Sequence, residues 1–89
     1  MNNEKGRIVF SKAGHDKLKV YVIIDYDNEY YYLSDGDIRT LDKLKKKRIK
    51  HVQKTNTYIN QLVDNIDDLS NITNEHIKYA IRLFKKDGK

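Results

Sequence analysis

Apolar positions recur every second residue in the first half of the chain and every third or fourth in the second half. Val20, Val22, Ile24 and Tyr26 alternate with Tyr21, Ile23 and Asp25, the period of a strand spanning Lys19 to Asp27. A shorter apolar run, Arg7 to Lys12, precedes it and stops at the Ala13-Gly14 turn signal. Asp27-Asn28 suits a tight hairpin, and Glu29 to Ser34 reads as the returning strand, with Tyr30 and Tyr32 opposite in sense to Tyr31 and Leu33. Asp35-Gly36 signals another turn, leading into Ile38 to Leu41 as a short strand, and Ile49 to Gln53 is a candidate for one more. About five short strands predict a small antiparallel barrel, since closure removes the open edges of such a sheet.

The second half carries two helical stripes. Ile59, Leu62, Val63 and Ile66 lie at i, i+3, i+4 and i+7, with Thr55 or Asn56 able to cap the start and Asp67-Asp68 opposing continuation. Ile77, Ala80, Ile81 and Phe84 form the second stripe, after Thr73 as N-cap and with Glu75 in the first turn. Lys85 and Lys86 sit where cations suit a helix C-terminus, and the Asp87-Gly88-Lys89 tail is expected to fray. The expectation is an α+β chain: a barrel with a basic segment over residues 1–54, and a helical appendage over 55–89. Three uses of the helices stay open: packing on the barrel, docking a protein partner, or forming a homodimer.

With 89 residues and 38% hydrophobic content, the chain can build one simple core. It has no Cys, which excludes disulfides, zinc ribbons and thiol catalysis and fits a reducing compartment. It has no Pro, so turns rely on Gly, Asn and Asp. No apolar run approaches the roughly 20 residues of a membrane span, and the N-terminus lacks a secretory h-region. A cytoplasmic location is the expectation.

Charge alters the picture more than composition does. Residues 1–36 carry −1, residues 37–54 +6 and residues 55–89 zero, within a total of +5. The basicity is one patch, made by Lys43, Lys45, Lys46, Lys47, Arg48, Lys50 and Lys54 with Arg39 just upstream. Such a patch attracts a polyanion, because each cation that meets a phosphate releases condensed counterions. Lys12, Lys17 and Lys19, with His15, can extend it if the first turn lies nearby, while Arg39 can contact phosphate or pair with Asp35 or Asp37. The bland counterpart is a solvated lysine face.

Catalytic chemistry finds little to build on. Asp25, Asp27 and Glu29 alternate around a hairpin tip, where they read as exposed turn carboxylates and not as paired general acids in a cleft. His15, His51 and His76 show no metal-ligand spacing, Ser11 and Ser34 have no adjacent base, and the four glycines are dispersed. The chain reads as a non-enzyme without metal or cofactor. Tyr21, Tyr30, Tyr31 and Tyr32 suit sheet packing first and base stacking second; neighbours point opposite ways, so at most one face can stack.

The stretch from Gly6 to Ser34 resembles a KOW domain, the small SH3-like barrel of several ribosomal proteins and elongation factors. The residues that carry this are the opening strand Arg7 to Lys12, a Gly-x-Asp-Lys turn at Gly14, Asp16 and Lys17, and the long alternating strand that follows. Through Ser34 to Lys43 and the basic run Lys45 to His51, the chain resembles small bacterial KOW proteins, themselves similar to the fourteen-e family of large-subunit ribosomal proteins. Leu18 stands where that family has Gly, and Leu44 where relatives have Pro. If the family's Gly admits RNA backbone, Leu18 obstructs that approach; if it serves only a positive φ, Leu18 must relax or bear strain. The resemblance implies a ribosome-associated RNA-binding protein whose ligand is ribosomal RNA, with ribosomal proteins as further partners. The competing expectation is a protein–protein adaptor that docks on a ribosomal protein or RNA polymerase.

Overall fold

A computed structural model describes residues 3–12, 19–63 and 69–87. The Gly14 turn with His15, Asp16, Lys17 and Leu18, the helical positions Ile66, Asp67 and Asp68, and the Gly88-Lys89 end lie outside the described residues. Five strands run in order as β1 (Arg7–Ser11), β2 (Val20–Tyr26), β3 (Tyr30–Ser34), β4 (Lys45–Arg48) and β5 (Val52–Tyr58), followed by one α-helix, α1 (Asn74–Asp87). All pairings are antiparallel, in the spatial order β4-β3-β2-β1-β5.

The expected closed barrel is not formed. β4 and β5 occupy opposite edges of an open sheet, joined by a single 3-10 turn at Ile49–His51. Both faces nevertheless bury apolar side chains. Ile8, Val20 and Val22 point to one face and join Ile77, Ala80 and Ile81 of α1, with Phe10 and Phe84 rings 5.7 Å apart. Val9, Tyr21, Ile23, Tyr31, Leu33 and Val52 cluster on the other face. The helix thus supplies cover that closure would otherwise provide, and lysines on the β4 edge discourage pairing with another sheet.

Strand placement departs from expectation in three places, each for a local reason. Ile38 to Leu41 is not a strand, because the Asp35 carboxylate accepts the Asp37 and Arg39 amides, both at 2.9 Å. Ser34 Oγ donates to the Arg39 carbonyl and accepts the Gly36 amide, so the loop satisfies its backbone internally. Lys45–Arg48 is a strand despite having no apolar residue, held by its pairing with β3. Ile49–His51 turns instead of extending, and the fifth strand begins only at Val52.

Only one α-helix occurs among the described residues, and residues 55–63 form strand and 3-10 turn in place of the expected start of a helix. β5 continues through Thr55 and Asn56, where it bulges against β1 and Thr55 Oγ1 donates to the Ile8 carbonyl at 2.7 Å. Ile59 then enters the core from a 3-10 turn, its amide bonded to the Gly6 carbonyl at 2.7 Å. Of the apolar stripe, Ile59, Leu62 and Val63 serve a turn that follows a β-branched strand. The second stripe forms α1 as expected. Thr73 Oγ1 accepts the His76 amide while His76 Nδ1 accepts the Thr73 amide, both at 3.1 Å, a reciprocal cap. Asn74 Oδ1 also accepts the Leu41 amide at 2.8 Å, tying the helix start to the loop after β3.

Candidate nucleic-acid interface

The basic run owes its geometry to β4 being an edge strand. The register pairs Tyr30 with Arg48, Tyr31 with Lys47, Tyr32 with Lys46 and Leu33 with Lys45. Opposite residues share a face, so Lys46 and Arg48 lie with Tyr30 and Tyr32, and Lys45 and Lys47 lie with buried Tyr31 and Leu33. The patch seen in the sequence is therefore divided between two faces of one strand. Lys46 and Arg48 are exposed; Lys45 and Lys47 are half-buried. The Lys46–Arg48 face is also the α1 face, since β3 alternation carries Tyr32 to Ser34, which opposes Val22 in the helix-side cluster.

Tyr30 anchors this surface. Lys46 Nζ lies 4.3 Å from its ring centroid and Arg48 Cζ 5.5 Å from it, cation–π contacts that hold both cations over one ring. Arg48 also reaches Glu29, Nη1 to Oε2 at 2.7 Å. Both side chains of that pair are about half exposed, and exposed pairs contribute about 0–1 kcal/mol. A phosphate can take over such a guanidinium at little cost.

Carboxylates bound the surface at the β2–β3 hairpin. Asp27 accepts the Glu29 and Tyr30 amides and the Tyr32 hydroxyl, all within 2.9 Å. Those backbone amides, and then the hydroxyl, hold its carboxyl below the usual range, while donation to Asp27 pushes the Tyr32 phenol up. Burial raises the Tyr31 phenol on the opposite face. Asp42, beside the patch, is lowered chiefly by the Thr40 hydroxyl that donates to it.

The remaining expected contacts are spread out. Lys43 is exposed in the turn before β4 and Lys50 on the 3-10 turn after it, so these two extend the strand at both ends. Lys12 is exposed, and its amide donates to the His51 carbonyl at 2.9 Å, which places it beside Lys50. Arg39 is half-buried in the loop closed by Asp35. Lys54 sits on β5, at the far edge of the sheet, 3.9 Å from Glu4. Lys17 lies outside the described residues. Lys19 is exposed in a groove along α1, where the structure gathers Lys78, Arg82 and Lys85 around it. None of the three was read as a binding residue from the sequence, where Lys85 was noted only for the helix end, although their i, i+4, i+7 spacing marks one helix flank.

Two of the tyrosines weighed for stacking, Tyr21 and Tyr31, are buried core residues. Among the described residues, no three His, Cys, Asp or Glu side chains are placed to hold a metal ion. No described helix is long and apolar enough to cross a membrane. No protein-family model matches the chain, and no curated protein matches it.

Proposed function

We propose that the protein is a non-catalytic, cytoplasmic RNA-binding protein of KOW type, associated with the ribosome and contacting ribosomal RNA through phosphates. One observation carries this reading: an open sheet edge bears four consecutive cations, two of them held over the Tyr30 ring and exposed. Lys43 and Lys50 continue the line of charge at either end. Lysine contacts of this kind position a nucleic acid without reading its sequence, which suits structured RNA recognised by shape. The likeness of Gly6 to Ser34 to KOW domains supplies the ribosomal part of the proposal. Docking on a protein partner draws its support from a different surface, the α1 groove.

Fluorescence anisotropy with a labelled ribosomal RNA hairpin tests the proposal. A variant with Lys45, Lys46, Lys47 and Arg48 all changed to Ala is expected to lose most of the binding. Full binding by that variant would refute the role given to β4.

A further inference from the structure

A groove of about 440 Å³ lies between the start of β2, the loop after β3 and the flank of α1 from Lys78 to Lys85. Its lining includes Val20 and Ile81, both at least nine-tenths buried. Ile38 stands at its lip, 69% exposed, the most exposed large apolar side chain among the described residues. Lys19, Lys78, Arg82 and Lys85 complete the rim. Lys78 lies 3.4 Å from Glu75, and no ion pair holds Lys19, Arg82 or Lys85 among the described residues. Asp35 and Asp37 also line it, but the Asp35 carboxylate is engaged by the loop amides.

This combination differs from the β4 surface. Tyr30 and Tyr32 accompany the cations there, whereas here the companions are aliphatic. Nucleic acid offers phosphates and flat bases, for which an isoleucine lip is a poor platform. A peptide with carboxylates flanking an apolar side chain matches both features: the cations meet the carboxylates and the aliphatic lining takes the anchor. We propose that this groove binds an acidic protein segment that inserts one apolar anchor between Ile38 and α1 while its carboxylates meet Lys19, Lys78, Arg82 and Lys85. The docked segment would join a protein partner to the chain on a surface separate from the RNA-contacting strand.

The experiment uses the full chain and a short fluorescein-labelled peptide in which glutamates flank a Leu-Leu pair, at physiological salt, followed by anisotropy and by amide chemical shifts. Saturable binding is expected, with shifts concentrated at Ile38, Arg82 and Lys85. R82E/K85E should weaken it about tenfold or more, by loss and reversal of rim charge. Ile38→Ser at the exposed lip should weaken it severalfold, and a peptide with Ser for both Leu should bind no better than this variant binds the parent. K46E/R48E changes net charge equally at residues that do not line the groove, and should weaken the peptide far less than R82E/K85E does. Absence of saturable binding would overturn the proposal, as would equal loss in K46E/R48E. So would an R82E/K85E variant that keeps the peptide but loses a labelled uridine oligonucleotide, which would assign the groove to nucleic acid.

Discussion

Lys46 reaches diagonally from β4 to the neighbouring β3 to place its ammonium 4.3 Å from the Tyr30 ring centroid, although the register sets Tyr32 directly opposite it. Arg48, which does oppose Tyr30, shares the same ring at 5.5 Å. One tyrosine thereby orders the two cations that alternation leaves on the helix side of β4.

A double-mutant cycle measures that arrangement. Tyr30→Leu and Lys46→Met, alone and together, should show a coupling of about 0.5–1 kcal/mol in urea unfolding, the range for an exposed cation–π pair. Additive effects would mean the ring does not hold the ammonium.

The loop after β3 depends on Gly36, whose φ is +75° and whose added Cβ would collide with the Asn74 carbonyl oxygen of α1. Backbone strain and overpacking together should make Gly36→Ala cost roughly 2–4 kcal/mol. Gly6 also has a positive φ, +87°, but the atoms nearest its added Cβ are side-chain carbons of Ile59 and Leu69, the closest at 3.3 Å. Gly6→Ala should cost less, about 1–2 kcal/mol from the backbone alone. Thermal unfolding of the two variants checks the order, and a smaller loss at Gly36 would contradict the close contact between loop and helix.

Acid should loosen the β2–β3 hairpin through Asp27. Its carboxyl is held below the ordinary value by the Glu29 and Tyr30 amides, and by the Tyr32 hydroxyl. A carboxyl lowered in the folded state stabilises fully above its unfolded value of about 4, and that contribution disappears as pH falls through the lowered value. Amide shifts of Glu29 and Tyr30 should move in that acid window, and Asp27→Asn should abolish the movement. Shifts that persist in Asp27→Asn would place the titration elsewhere.

Where apolar residues alternate or stripe regularly, the chain is readable without coordinates: β1, β2, β3 and α1 with its Thr73 cap all follow from pattern. β4 was hidden because its four residues are Lys-Lys-Lys-Arg, and nothing but pairing with β3 makes them a strand. Ile38 to Leu41 misled because Asp35 and Ser34 close a loop there by local hydrogen bonds. Ile59, Leu62 and Val63 misled because helical spacing over so few residues fits a 3-10 turn equally well. The concentration of charge was likewise visible in advance. Its division between two faces was not, since that depends on a register set by tertiary pairing.

The salt dependence of RNA binding bears most directly on the central claim that β4 and its flanks grip phosphates. Anisotropy with a ribosomal RNA hairpin over about 50–300 mM salt should give log K falling linearly with log salt, with a slope near −3 to −5 for roughly four to six phosphates neutralised. A flat response would contradict the claim.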